Sequence, residues 1–359
     1  MNSEISPILL QWYNQNKRPL PWRLSRDPYK IWLSEIILQQ TRVQQGLAYY
    51  QRFISRYPDV FQLAAASENE VYKLWQGLGY YNRANNLMKC AQIVANDLHG
   101  IFPDEFSTLK KLPGIGDYTA AAIVSLAFKK PHPVVDGNVF RVLSRLFCVD
   151  TPINTSRGKK IFTEIARQLL ANHPPDLFNQ ALMEFGALVC TPRPLCETCP
   201  LQQACYAYQN HQQNQFPVKR PKSIRGKRYI FYFVFQIHDQ GIPAFYLKKR
   251  TRQGIWKNLY DFPAVEQSTP FSDPMDVLGH FPHQEWIAMH NASIGKVSKT
   301  YVHQLTHLKI EALFIPVFLN SKLPPDTKNS LLLIHQNILN KYPVSRLVAK
   351  YLTDQKIIH

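Results

Sequence analysis

Between Leu112 and Asn138 two glycine-marked turns each lead into a helical run, and a chain that must accommodate both is held to a helical hairpin. The turn Pro113-Gly114-Ile115-Gly116 precedes an alanine-rich helix expected over Thr119–Phe128. Two positions without side chains let backbone N–H groups approach a ligand at a helix start, which is how a phosphate is seated. Val134-Val135-Asp136-Gly137-Asn138 then sets one acid at a second loop-to-helix transition, continued by Val139-Phe140-Arg141. Free N–H groups there would hold the Asp136 carboxylate and keep it ionised. Taken alone, the stretch fits equally well a packing hairpin whose glycines are helix caps and whose Asp136 merely starts a helix.

Charge decides what such a hairpin would face. Lys and Arg number 42 against 25 Asp and Glu, a surplus of 17 positive charges in 359 residues. A polyanion is the expected partner, nucleic acid before membrane, because no basic amphipathic segment stands out. The first residues, MNSEISPILLQWYNQNK, lack the basic and then apolar pattern of a signal peptide, and the longest apolar run, Tyr229–Phe235, is too short to span a bilayer. A cytoplasmic protein with no membrane partner is expected, and with it reduced cysteines. Four of the six cysteines crowd into Cys190, Cys196, Cys199 and Cys205, spaced C-x5-C-x2-C-x5-C. Zinc sites usually come as two separated C-x2-C pairs; one pair flanked by two single cysteines suits an iron–sulfur cube better. Cys90 and Cys148 lie in apolar helical context and are read as buried packing residues.

Other chemistry is spread through the first two hundred residues. Lys17–Arg23 forms a basic, aromatic strip with Trp22 and Arg23, and a helix is expected over Ile31–Thr41. In that helix Glu35 shares the apolar face with Ile31, Trp32 and Leu38. A carboxyl so placed has its charged form disfavoured and becomes a proton donor near neutrality; alternatively it sits at the stripe's edge and reaches water. Leu74–Arg83 reads as a glycine-punctuated aromatic turn, in which Tyr80 or Tyr81 presents a ring to a base stack or packs two helices. Residues 84–112 and 139–188 read as further helices. The composition then changes: a Gln- and Asn-rich stretch and the basic, proline-bearing Phe216–Arg228 form a linker over 209–228. Aromatic and β-branched runs such as Tyr229–Ile237 mark 229–359 as a separate α+β domain.

Together, PWR with SEIILQQTRV, GLGYYNRANNL, LPGIGDYTAAAI, VVDGNVFRVLSR, the four cysteines, GIWKNLYDFP and HQLTH resemble the helix-hairpin-helix DNA glycosylases, and within them the adenine DNA glycosylases of the MutY type. The likeness spans nearly the whole chain. It implies an all-α glycosylase domain over 1–208 with a [4Fe–4S] cluster loop at 190–205, the linker, and a Nudix-like domain over 229–359 that binds without hydrolysing, since the glutamate-rich helix of such hydrolases does not follow. Two departures stand out: the first cysteine spacing is five residues where the family has six, and the usual Phe-Ser-His is Leu305-Thr306-His307.

The resemblance implies excision of adenine mispaired with 8-oxoguanine, or guanine, in duplex DNA, by a monomer associated with the nucleoid of a prokaryote. Breaking an N-glycosidic bond passes through an oxocarbenium-like ion, so an acid for the leaving base and an anion for the sugar are needed. Glu35 takes the first role and Asp136 the second, with Tyr118 and Asn138 in support. The target base must be flipped out of the duplex. By the same likeness Gln40 and Tyr80 wedge into the duplex; Trp22, Arg23 and Gln180 line the adenine pocket; Gln39, Gly114 and Gly116 contact DNA; and Leu305, Thr306 and His307 read the lesion. Bifunctional endonuclease III relatives carry a Schiff-base lysine two residues after the hairpin's second glycine, where this chain has Tyr118. A monofunctional enzyme is therefore expected, with a strand-cleaving lyase or a non-catalytic lesion binder as the alternatives.

Overall fold

The computed structural model describes every residue except 1, 222–225, 252–253, 271–276, 278–289, 306–307, 324–330 and 359. Two compact units emerge, Met1–Ala66 with Asn85–Pro221, and Ser67–Ala84 with Lys222–His359.

The first unit is helical: α1 (Asn2–Asn16), α2 (Pro28–Leu38), α3 (Val43–Arg56) and α4 (Val60–Ala64) lie before the segment that belongs to the second unit. That segment holds α5 (Glu68–Trp75); α6 (Asn82–Gln92) leads back into the first unit. There follow α7 (Phe106–Leu109), α8 (Asp117–Leu126), α9 (Gly137–Phe147), α10 (Ser156–Leu170), α11 (Pro175–Leu188) and α12 (Tyr206–Gln209). One core joins Leu9 and Tyr13 of α1, Leu143 of α9, Phe162 of α10, and Phe178, Leu182 and Phe185 of α11. Each such side chain contributes about 1.5–3 kcal/mol by leaving water, which fixes α11 at the centre of this half.

Helix ends depart from expectation for local reasons. α2 starts earlier than expected because the Asp27 carboxylate accepts the Tyr29 N–H at 2.9 Å and Pro28 suits a first turn. It stops at Leu38, since Gln40 takes the left-handed region at φ +57°. α8 starts at Asp117 because extended Gly116 caps it. Residues 84–112 are not continuously helical: Gly100, at φ +81°, and Pro103 separate α6 from α7. Cys90 is fully buried, whereas Cys148 is only half-buried, in a left-handed residue that ends α9.

The second unit is built on an eight-stranded sheet: β1 (Gly226–Asp239), β2 (Ile242–Lys249), β3 (Tyr260–Asp261), β4 (Ala264–Gln267), β5 (Ser293–Ile294), β6 (Tyr301–Gln304), β7 (Leu308–Phe318) and β8 (Leu331–His335). Among the described residues helices α13 (Gln336–Leu339) and α14 (Arg346–Asp354) follow it. Sheet structure therefore begins at Gly226, inside the stretch expected to be linker. β1 and β7 run parallel, from Gly226 opposite Leu308 to Gln236 opposite Phe318, and β6 returns antiparallel to β7. Ile230–Phe235 is buried without a break, as a strand covered on both faces must be. Phe231, Phe233 and Phe235 enter one core; on the other face Tyr232 stacks on Phe314 at 4.8 Å, and Phe314 on Tyr351 of α14 at 4.0 Å. Helix α5 is tied into this unit by Glu68, which accepts from Lys249 Nζ at 2.5 Å and Asn258 Nδ2 at 2.6 Å.

Candidate active site

A cavity of about 810 Å³ in the helical unit is walled by one face each of α2 and α11 and by the starts of α8 and α9. Trp22, Arg23, Glu35, Gln39, Gln40, Gly114, Gly116, Tyr118, Asp136, Asn138 and Gln180 all line it. These positions span more than 150 residues of sequence, and the hairpin brings them together. Tyr80 and Leu305 belong to the other unit.

Glu35 is placed by α2, which buries all of Ile31–Ile37, and only 6% of the residue is exposed. Burial pushes its carboxyl up to about 7; the hydrogen bond from Tyr118 and the charge of Arg23 hold it back, while Asp136 adds to the rise. Tyr118 is itself raised well above its ordinary value by burial and by the two acids, so its hydroxyl keeps its proton and donates to Glu35. The same hydroxyl lies 3.7 Å from Met183 Sδ.

Asp136 caps α9. Its Oδ1 accepts the N–H groups of Asn138 at 2.9 Å and Val139 at 2.7 Å, and its Oδ2 accepts Asn138 Nδ2 at 2.8 Å. Burial is the largest influence on the Asp136 carboxyl and raises its pKa, while those donors and Arg141 oppose the rise and favour the ionised form. Arg141 fixes the cap from behind, giving hydrogen bonds to Asn138 Oδ1 at 2.9 Å, Gly186 O at 2.6 Å and Cys190 O at 2.7 Å.

Arg23 lines the cavity, yet its guanidinium is not free within it. Glu184, 1% exposed on α11, receives Arg23 at 2.7 and 2.9 Å and Arg18 at 2.6 and 2.8 Å. Burial pushes the Glu184 carboxyl up, but the two guanidinium forks outweigh it and bring it down to about 2. Sequence reading passed over Glu184, although Leu182-Met183-Glu184-Phe185 shows the same acid-in-an-apolar-face pattern that singled out Glu35. Trp22 is buried edge-on against Tyr50 at 5.2 Å, Gln180 Oε1 accepts Tyr13 Oη at 2.8 Å, and Gln39 Nε2 reaches Thr119 Oγ1 at 3.2 Å. Gly114, at φ +77°, has no room for a Cβ, which would lie 2.8 Å from Asn86 Cβ, whereas nothing of the protein comes within 4 Å of a Cβ built on Gly116.

In the second unit Tyr80 is 47% exposed at φ +49°, with Arg83 over its ring, while Tyr81 is buried. Leu305 N–H bonds to Leu308 O at 2.8 Å, closing the β6–β7 turn; Thr306 and His307 fall outside the described residues.

The four cysteines line a single small cavity beside α9 and α11. Burial pushes the Cys199 thiol up to about 12, opposed by the Leu201 N–H, and raises Cys205, opposed by the N–H groups of Tyr208 and Ala207. Arg145 Nη1 lies 3.5 Å from Cys190 Sγ. Amide donors and a guanidinium aimed at sulfur are what thiolate ligands require, so these residues fit a group held by several thiolates. Among the described residues no cluster of His, Cys, Asp and Glu stands close enough together to hold a single metal ion. Among the same residues no helix is long and apolar enough to cross a membrane.

A desolvated acid facing a second carboxylate across a helical hairpin defines a class, and residues 33–168 match that class, the HhH-GPD superfamily base excision DNA repair proteins. The chain is 34% identical over 330 residues to an adenine DNA glycosylase of Buchnera aphidicola subsp. Schizaphis graminum, covering 90% of each. It is 38% identical over 260 residues to that of Buchnera aphidicola subsp. Acyrthosiphon pisum, covering 72% of this chain and 73% of the relative. The chain belongs to the adenine DNA glycosylase family. Among solved structures it resembles a thermostable thymine-DNA glycosylase at 33% identity and a TM-score of 0.54, over 58% of this chain and 97% of that one.

Proposed function

We propose that this enzyme, an adenine DNA glycosylase of base excision repair, is monofunctional and excises adenine paired with 8-oxoguanine, acting as a monomer on duplex DNA in the nucleoid. The observation that carries the reading is Glu35, a buried carboxyl raised to about 7 by desolvation and facing Asp136 in one cavity. Near neutrality half of such a group carries a proton, the condition for a general acid.

The flipped adenine enters the cavity between Trp22 and Gln180. Glu35 gives its proton to N7, the C1′–N9 bond breaks, and the electron pair leaves with the base. Asp136 stabilises the positive charge left on the sugar, held in place by Asn138 and the start of α9, while Tyr118 fixes Glu35. Glu35, now ionised, takes a proton from the water that adds to C1′, and the product is an abasic site. Glu184 orients Arg23 toward the base. Gln40 and Tyr80, both exposed or half-exposed in left-handed backbone, wedge into the duplex, and the amide groups around Gly116 seat a phosphate.

The domain beginning at Gly226 is Nudix-like in this reading, and Leu305, Thr306 and His307 read the base opposite the adenine. Cys190, Cys196, Cys199 and Cys205 would hold a [4Fe–4S] cluster, which would serve structurally by closing the loop after α11 on itself, with Arg145 of α9 alongside. The reading is tested with a labelled duplex carrying adenine opposite 8-oxoguanine, with and without alkali. Cleavage at the adenine only after alkali supports it; spontaneous cleavage would make the enzyme a lyase; binding without cleavage would make it a lesion sensor.

A further inference from the structure

The sheet unit contains a second recess, of about 300 Å³, between β6 and the start of α14. His303 and Gln304 form one wall, Arg346 and Lys350 the other, and Tyr301 lies between. Arg346 and Lys350 are one helical turn apart on the same face, an arrangement of like charges that costs a helix stability unless an anion answers it. No carboxylate lines the recess. Asp354, a further turn along, is engaged by Lys299 Nζ at 2.8 Å and by the Tyr301 hydroxyl at 3.1 Å. Among the described residues neither Arg346 nor Lys350 has a carboxylate within 4 Å; the Lys350 charge acts on Asp354 only at longer range, behind the closer Lys299.

Two further features mark the recess as positive and shaped. His303 packs at a tilt against Trp256, ring centroids 5.5 Å apart, and burial first, then the Arg346 charge, depresses its pKa. The imidazole therefore stays neutral, with one N–H to donate. Lys350 Nζ lies 5.9 Å over the Tyr301 ring, which restrains the ammonium at the rim. A planar guanidinium fork, an ammonium and a neutral imidazole donor around a hollow without an acid complement a tetrahedral dianion or monoanion, while the Gln304 amide is occupied by the carbonyls of Leu305 and Leu308. β6 ends at Gln304, so an anion held here lies near Leu305, whose N–H bonds to Leu308 O.

We infer that Arg346 and Lys350, with His303, form a seat for a backbone phosphate of the DNA strand opposite the excised adenine. The choice of strand rests on the lesion-reading role proposed for the β6–β7 turn; the anion chemistry does not. A free phosphate shares that chemistry, and the two sources are separable.

The test uses full-length protein and the double variant Arg346→Gln/Lys350→Gln, both positions being exposed. Binding is measured by anisotropy to undamaged duplex and to duplexes with 8-oxoguanine or guanine opposite a non-cleavable adenine analogue, across a salt series. Losing one phosphate contact makes the slope of log K against log salt shallower by about 0.9. Affinity for all three duplexes should fall by a common factor, and the conservative Arg346→Lys should retain most of the slope. An unchanged slope overturns the seat, and so does a loss confined to the 8-oxoguanine duplex, which would make these residues base readers. Inorganic phosphate alone, titrated while the His303 ring is followed by NMR, provides the second arm. Submillimolar saturation together with an unchanged DNA slope would assign the recess to a free anion instead. Because the slope is measured without excision, it stands or falls separately from the glycosylase reading.

Discussion

At the scale of single residues, the chemistry turns on where one proton resides. Glu35, displaced from 4.5 to about 7, binds a proton more tightly in the folded state than in the unfolded. Its contribution to stability is therefore complete below about 4.5 and is lost as the pH rises through about 7, a difference of about 3 kcal/mol. Glu35→Gln keeps the shape without the charge, so it should unfold at higher denaturant than the parent at pH 8, with the gap closing toward pH 5. The same variant should bind mismatched duplex normally but excise at least about a hundredfold more slowly in a single turnover, and parental excision should decline as the pH rises past about 7. A stability gap independent of pH would show that the Glu35 proton is not displaced at all. Tyr118→Lys puts an amine where the bifunctional relatives have theirs; borohydride should then trap a protein–DNA adduct in the variant and little in the parent, and equal trapping would mean that another lysine already serves. Glu35 was legible because local spacing alone sets which face of α2 it shares. Glu184 was not, because its meaning comes from Arg18 and Arg23, more than 160 residues away. At Asp136 the cap donors were legible but the opposing burial was not, for a related reason: donors can be counted in sequence, whereas burial depends on what packs over the cap.

Elements show the same division between local and distant causes. The glycine turn before α8 was visible in sequence, but only coordinates separate the work of its two glycines. Gly114 is required by the fold, since its left-handed φ and the nearby Asn86 both reject a side chain. Gly116 has ordinary φ and open space, so nothing in the protein itself requires its missing side chain. Gly114→Ala should accordingly lower stability by about 1 kcal/mol or more, while Gly116→Ala should melt like the parent and bind duplex more weakly. Equal behaviour of the two variants, in either assay, would remove the phosphate-seat reading of Gly116. The crowding of the four cysteines was legible from spacing, and they share one cavity; the donors near their sulfurs, Arg145 and the amides of Leu201, Ala207 and Tyr208, were not, because these contacts leave no periodic trace in sequence. Anaerobically purified protein should be brown with about four irons per chain, and colourless protein with stoichiometric zinc would rule the cube out despite the fit of the residues.

For the molecule as a whole, composition located the change from helical periodicity to strand pattern near residue 209, yet it gave no sign that Ser67–Ala84 would group with the sheet. That grouping depends on Glu68 and Tyr72 meeting Asn258, some 190 residues on, a pairing without a local signature. It also changes which experiment is informative about the second unit. Removing everything from Gly226 onward would take the Asn258 and Lys249 donors from Glu68, each worth about 0.5–1.5 kcal/mol, along with every sheet contact of α5. A truncated protein that lost its preference for 8-oxoguanine would therefore report damage to α5 and the Tyr80 turn as readily as loss of a reader. The cleaner variant is full-length Leu305→Ala/Thr306→Ala/His307→Ala, confined to the turn between β6 and β7. If that turn inspects the base opposite the adenine, the variant should keep the parental melting temperature and its rate on adenine opposite guanine, while its advantage on 8-oxoguanine shrinks by about tenfold or more, the scale of a lost purine-edge contact. Asn258→Ala supplies the contrast, lowering the melting temperature through α5 while leaving the turn intact. A parental substrate ratio in the triple variant would remove lesion reading from this turn, and a ratio disturbed only in Asn258→Ala would move it to the α5 side of the unit.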